Sequence, residues 1–177
     1  MIKNITLSDL EKNEVTNKSF FTAKLENVNQ TCTFLKGNFY LDSFNYYPIT
    51  EDFKSFDELF IRIDKNSIAH YHSESFYQNL QDNLKKLKVF NDSCVIGSNP
   101  GNNYFSNLFH FLPRIFFENE SQIKIAVHRS LSKKFRSFME YLFRLKNQKL
   151  NFIYLDDDFY KFENSRIPQF LNTKSAI

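Results

Sequence analysis

The sequence predicts an α/β protein with a Rossmann-like parallel sheet, and three observations carry that expectation. From residue 92 to residue 155, short apolar runs alternate with amphipathic stretches in the order strand–helix–strand–helix–strand. The apolar runs at 94–96 (CVI), 123–128 (IKIAVH) and 151–155 (NFIYL) are rich enough in apolar residues to suit strands covered on both faces. Two consecutive right-handed crossovers between such strands give a three-stranded parallel sheet, half of a doubly wound domain.

The texture changes near residue 90. Residues 1–90 read as a strand-rich N-terminal region packed on the same domain, and residues 91–177 as the Rossmann-like half. In the first region, TCTFLKGNFYL at 31–41 predicts two strand pieces hairpinned around Lys36-Gly37-Asn38. DELFIRID at 57–64 alternates through Leu59, Ile61 and Ile63, a strand pattern, and 75–88 predicts a helix with Phe76, Leu80, Leu84 and Leu87 on one side. Residues 92–98 form a short strand ending at Gly97, followed by the turn Asn99-Pro100-Gly101-Asn102. A helix is expected from Asn103 to about Phe117, with Asn102 or Asn103 as its cap. Its apolar face would hold Phe105, Leu108, Phe109, Leu112, Ile115 and Phe116, and its polar face Ser106, Asn107, His110 and Arg114. Pro113 lies inside this pattern and should end the helix early or kink it near Phe109. Residues 131–147 are amphipathic through Leu131, Phe135, Phe138, Met139, Leu142 and Phe143. The chain stops soon after the third strand. Either residues 1–90 complete the sheet, or the chain is part of something longer whose other half is a missing C-terminal domain or a second chain.

Composition narrows the function classes. The 177 residues are 42% hydrophobic and 24% charged, close to ordinary globular values. No apolar run reaches the roughly 18 residues of a membrane span, and MIKNITLSDLEKNE lacks the apolar stretch of a signal peptide. The expected location is therefore cytoplasmic, with at most peripheral contact at the inner face of a membrane. The net charge of +3 is too small for a dedicated nucleic-acid binder. The charge is uneven: residues 1–90 carry 11 basic and 12 acidic side chains, residues 91–177 carry 12 and 8. Residues 121–149 hold eight basic groups against Glu140 alone, either a solvated helix face or a surface for an anionic partner. Cys32 and Cys94 are far apart, without CxxC spacing or a nearby His, and read as reduced thiols rather than a disulfide or zinc site.

Several positions have the chemistry of a site. The strand-to-helix loop at 97–103 contains Gly97 and Gly101 but neither GxGxxG nor a Walker motif, so it is a plain turn or a simple anion cradle. Ser106, His110 and Arg114, at i, i+4 and i+8, put a hydroxyl, an imidazole and a guanidinium on one helical stripe, which suits a phosphate or a sugar hydroxyl or is merely exposed. His70 and His72 would share a face on a strand, yet no third metal ligand accompanies them. His128 ends a strand on the ligand-facing side of this architecture, and Asp156-Asp157-Asp158 follow the next strand as a turn or as carboxylates for a hard cation.

The run Asn103-Tyr104-Phe105-Ser106-Asn107-Leu108-Phe109-His110-Phe111-Leu112-Pro113-Arg114-Ile115 resembles the signature helix of glycosyltransferase family sixty-one, which includes many capsular polysaccharide biosynthesis proteins. Asn103, Tyr104, Phe105, Leu108, Leu112, Pro113 and Arg114 match its pattern, and the flanking strands and the late Ile167-Pro168 pair agree. Ser106 stands where the family has His, and His110 where it has Glu or Asp. The resemblance loosely covers residues 57–170.

The resemblance implies the N-terminal, acceptor-side half of a two-Rossmann-domain (GT-B-like) transferase. Such an enzyme moves a sugar from a nucleotide-sugar to a glycan acceptor in surface polysaccharide synthesis. It implies Asn103, Tyr104 and Arg114 as substrate-binding residues and His110 as the nearest stand-in for a base. Ser106, on the same stripe, and His128, at its strand end, join the substrate-binding set from their positions, and the role of the family His is not carried onto Ser106. No metal and no cofactor beyond the nucleotide-sugar substrate is implied. Because the donor is generally held by the second half, the chain is expected to be truncated and inactive alone, or to be a non-catalytic degenerate domain that binds a glycan or protein partner.

Overall fold

The computed structural model describes residues 3–4, 19–24, 31–55, 69–97, 105 and 107–169. Its strands in chain order are β1 (Lys3–Asn4), β2 (Ser19–Lys24), β3 (Thr31–Asp42), β4 (Tyr47–Thr50), β5 (Lys54–Ser55), β6 (Lys88–Asn91), β7 (Cys94–Gly97), β8 (Gln122–His128), β9 (Lys149–Leu155) and β10 (Phe159–Pro168). The helices are α1 (Glu74–Asn83), α2 (Leu112–Ile115), preceded by the π-helical turn Asn107–Phe111, and α3 (Lys133–Leu145). The expected strand at 57–64 lies outside the described residues.

The chain is α/β with an open mixed sheet. The order β2-β3-β10-β7-β8-β9 runs through eight strands once β4, paired to β3, and β6, paired to β10, are included. Strands β7, β8 and β9 are parallel neighbours in sequence order, as the apolar runs predict. Beyond β7 the sheet continues with β10, parallel to β6 and β7 and antiparallel to β3. One sheet therefore joins residues from both sides of the texture change at residue 90.

The sheet curls strongly. Leu155, the last residue of β9, pairs with His128, beyond the level at which Gly97 pairs with Val127. Phe159, the first residue of β10, lies seven residues before Arg166, which pairs with Cys94. In a flat sheet those ends would be about 30 Å apart at roughly 3.3 Å per residue. Three intervening residues can span only about 15 Å. Two irregularities supply the bend: Asp92 at φ 53, between β6 and β7, and Asn164 at φ 45, where the β3–β10 register shifts.

That bulge corrects the hairpin expected at Lys36-Gly37-Asn38. Thr31–Asp42 is one continuous strand. Gly37 faces Ser165 at the register shift, and Asn38 Oδ1 accepts the Asn164 N–H at 3.0 Å. The glycine and amide that look like a turn in sequence serve a bulge in the partner strand instead.

Side-chain alternation sorts the core into faces. On the concave face, Leu35, Phe39, Leu41, Val95, Ala126, Leu155, Tyr160 and Phe162 meet one another as the sheet curls around them. On the convex face, Ile96, Ile123, Ile125, Val127 and Leu150 pack under α2 and α3 through Leu112, Ile115, Phe135, Met139 and Phe143. α1 covers the same face at the other end, seating Phe76 and Leu80 on Tyr47, Ile49 and Tyr71. Both long helices start at serine caps: Ser73 Oγ accepts from Phe76 N–H and Ser132 Oγ from Phe135 N–H, each at 3.2 Å. No helix among the described residues is long and apolar enough to cross a membrane.

The helix before β8 differs from its sequence pattern. Phe105 and Phe109, expected on the apolar face, are 62% and 50% exposed, whereas Asn107 and Arg114, expected on the polar face, are buried. The cause is the π turn, which inserts about one residue per turn and rotates the buried face relative to a 3.6-residue wheel. Pro113 sits directly after it: lacking an N–H, proline cannot bond back to residue 109, and the widened turn accommodates the loss.

Gly97 is held in place by this helix. Its φ is +94°, and a Cβ there would lie 2.5 Å from Phe111 Cε1. Gly97→Ala is expected to destabilise the protein by about 2–4 kcal/mol, read as a lowered urea midpoint. Adding Phe111→Leu should recover the steric share of that loss and leave the backbone share.

Candidate functional site

A cleft of about 930 Å³ opens beside α1. Three pieces of chain build it: the β3–β4 turn with Asp42, Phe44 and Asn45; the His70–Asn83 stretch with Tyr71, Phe76 and Asn79; and the β9–β10 connection with Asp157, Asp158 and Phe159. The two connections are locked together by Ser43. Its backbone N–H donates to Asp158 O at 3.0 Å, its hydroxyl lies against the Asp156 and Asp158 carbonyls, and Asp158 N–H donates to Ser43 Oγ at 3.0 Å. Ser43 is fully buried, and it holds residues 115 apart in sequence on one rim.

The cleft floor is a hydrogen-bonded relay. Asn45 Nδ2 donates to Tyr71 Oη and Tyr71 Oη–H to Asp42 Oδ2, both at 2.6 Å, while Phe44 N–H donates to Asp42 Oδ1 at 3.1 Å. Tyr71 stacks on Tyr47 at 3.8 Å between ring centroids and meets Phe76 edge-on. Burial is the main reason the Asp42 carboxyl titrates above the ordinary range, against the opposing hydrogen bonds from Tyr71 and Phe44. Burial and the neighbouring Asp42 charge push the Tyr71 phenol up, so it stays a proton donor at neutral pH.

The same Asp156–Asp158 turn is braced from the other side by the end of β8 and the residues after it. His128 Nδ1 accepts from Ser130 N–H at 3.2 Å and lies 2.6 Å from Ser130 Oγ, an arrangement that leaves Nε2–H to donate to Asp157 Oδ1 at 3.0 Å. Arg129 grips Asp156 with two hydrogen bonds, at 2.5 and 3.1 Å, and this contact holds the Asp156 carboxyl below its ordinary range. The three aspartates thus have separate duties: Asp156 pairs outward with Arg129, and Asp157 and Asp158 line the cleft. Among the described residues, no group of three or more His, Cys, Asp or Glu is placed to hold a metal ion.

The residues singled out in sequence meet different fates. Asn103, Tyr104 and Ser106, with the 98–104 loop, lie outside the described residues. His110 is half-buried, its ring edge against Phe105 at 5.9 Å. Arg114, expected to face a ligand, is instead 2% exposed. Its Nε donates to Pro168 O at 2.8 Å and Nη1 to Ile96 O at 2.7 Å, with Nη2 also on Pro168 O. The π turn rotates it inward, where it ties the ends of β7 and β10 together. Among the described members of the set, His128 alone contacts a lining residue of the cleft, Asp157. His70 lines it too, but from a helical turn at 69–71, not from the strand on which His70 and His72 would share a face.

Asp42, Asn45, Tyr71 and Asn79 had no sequence signal as a site, because the Ser43 clamp and the curl of the sheet bring them together. Comparison with known proteins finds no matching family model, no matching curated protein and no matching solved structure.

Two outcomes test this geometry. Arg114→Met should cost about 2–4 kcal/mol in urea unfolding, because it leaves buried carbonyls without their donor. Asp42 should give stability a pH signature. Its folded pKa lies above the unfolded value of about 3.9, so the folded state holds the extra proton and stability falls as pH rises from there through the raised folded value. Asp42→Asn should remove that fall, so that the variant gains on the parent protein as pH rises through this window.

Proposed function

We propose that this chain binds a glycan in the Asp42–Phe76–Asp158 cleft and forms the acceptor side of a sugar-transferring protein. The carrying observation is the chemistry of the cleft wall. Carboxylates and amides can each bond sugar hydroxyls in pairs, and Phe44, Phe76 and Phe159 supply apolar faces for sugar rings. No Lys or Arg is among its described lining residues. Such cations are the side chains that meet a diphosphate directly. The cleft therefore suits the hydroxyl-rich acceptor rather than the charged donor, which fits the split implied by the resemblance to family sixty-one transferases.

In this reading β7–β8–β9 with their helices are a Rossmann-like half, and the cleft lies off the ends of β9 and β3. The donor nucleotide-sugar is supplied on a second domain or chain, in the cytoplasm or at the inner face of a membrane. Asp157, steadied by His128, is the carboxylate best placed to receive an acceptor hydroxyl proton. A second reading, glycan binding without transfer, is favoured by the inward placement of Arg114, which leaves the resemblance without its phosphate-binding side chain at the surface.

Titration calorimetry with a panel of neutral and amine-bearing oligosaccharides, alongside uridine and guanosine diphosphate sugars, separates the outcomes. Saturable oligosaccharide binding, weakened at least about tenfold by Phe44→Ala, is expected. Binding of nucleotide-sugars with no response to any oligosaccharide would sink the acceptor-side assignment.

A further inference from the structure

We infer that the glycan this cleft accepts carries free amines: an amino sugar, positively charged at neutral pH, rather than a neutral or acidic one. The inference rests on the glycan reading above and sharpens it to a substrate class. It stands on the cavity's composition taken whole. Asp42, Asp157 and Asp158 converge on one concavity of about 930 Å³, and among its described lining residues only His70 can carry positive charge. Two cations near the turn are committed elsewhere: Arg129 grips Asp156, and Lys161 bonds Glu51 at 3.2 Å and Glu163 at 2.7 Å. His128 behind the wall bonds one oxygen of Asp157 at 3.0 Å and leaves the other to a ligand.

The wall adds a second kind of affinity for a cation. Phe44 is 53% exposed at the rim, and Phe159 and the edge of Phe76 continue the aromatic surface inward. An ammonium group set against ring faces and carboxylates together is recognised by both, and more strongly where water is displaced. The buried Asp42 carboxylate, which resists ionisation in the empty cleft and has His70 as its cation-forming neighbour there, would gain a closer counter-charge. An anionic sugar would meet three carboxylates, and the same field that attracts an amine repels it. Asn79, Asn83 and Ser75 on α1 provide uncharged partners for the remaining hydroxyls.

The test uses two matched probes on the full chain: a glucosamine tetrasaccharide and its fully N-acetylated counterpart, titrated by calorimetry at low and at physiological salt. The amine form is expected to bind at least about tenfold more tightly at low salt, with the preference shrinking as salt rises. Asp158→Asn, an exposed change that leaves the buried relay intact, should reduce the preference severalfold, and Asp42→Asn should reduce it further if that variant folds. Equal affinity for the two probes, or tighter binding of the acetylated one, would overturn the amine assignment and leave glycan binding standing. Absence of binding by either probe and by the neutral oligosaccharides would overturn both.

Discussion

Between Leu155 and Phe159 the chain has three residues with which to pass from an edge strand to a strand in the interior of the sheet. The registers on either side set the distance that a flat sheet would require, and three residues cannot cover it. The sheet must curl, and the rest of the architecture follows from that. Curling turns one face inward, so Leu155 can pack with Tyr160, Phe162 and Phe39 without a helix between them. It leaves the other face for the helices α1, α2 and α3. It also carries the Asp156–Asp158 turn to the β3–β4 turn, where Ser43 closes the joint. The cleft is therefore a by-product of a connection too short for a flat sheet.

The buried polar groups are consistent with this account. Arg114 and the Arg166–Glu118 pair lie at places where the ends of β7 and β10 would otherwise leave groups unpaired. Arg166 Nε meets Glu118 at 2.6 Å and Nη1 reaches Glu120 at 3.0 Å, so its charge is compensated on two sides. Such pairs contribute little net stability against well-packed apolar groups, but breaking one leaves a buried charge alone. They therefore fix which strands meet and in which register, more than they add to the total stability. In the cleft the pattern is different: Asp42 has hydrogen-bond donors but no cationic partner in direct contact. That contrast, between core charges paired with opposite charges and a buried Asp42 held by neutral donors at a cavity, is the physical ground for reading the cleft as a place for a ligand.

Much of the local structure was legible in the sequence. The parallel run β7–β8–β9 and the amphipathic helix expected over 131–147 follow from apolar periodicity, which reports burial directly, whereas the helix expected over 75–88 ends at Asn83 and gives way to a 3-10 turn and β6. The failures share one cause. Lys36-Gly37-Asn38 has the composition of a turn, but its conformation is set by the bulge at Asn164 in a strand more than a hundred residues away. The wheel drawn for 105–116 assumed 3.6 residues per turn, and a π turn breaks that assumption just where Pro113 would otherwise clash. Once the period changes, Arg114 moves from surface to interior, and a phosphate-binding candidate becomes a brace.

The site was the least legible part, for a related reason. A motif is visible when its residues are close in sequence, and here the nearest signal was the Asp156-Asp157-Asp158 run, which reads as well for a turn. The partners of those aspartates, Asp42, Asn45 and Tyr71, carry no spacing in common with them. Two things join the groups: the β3–β10 ladder, which sets Asp42 opposite Phe159, and Ser43, which bonds backbone carbonyls and an N–H that no pattern of side chains reveals. Replacing Ser43 by alanine would leave every lining side chain in place and the ladder intact, and would remove the hydrogen bonds by which its hydroxyl holds the two turns together. The cleft thus depends on long-range strand register and on one buried hydroxyl, neither of which a local pattern records.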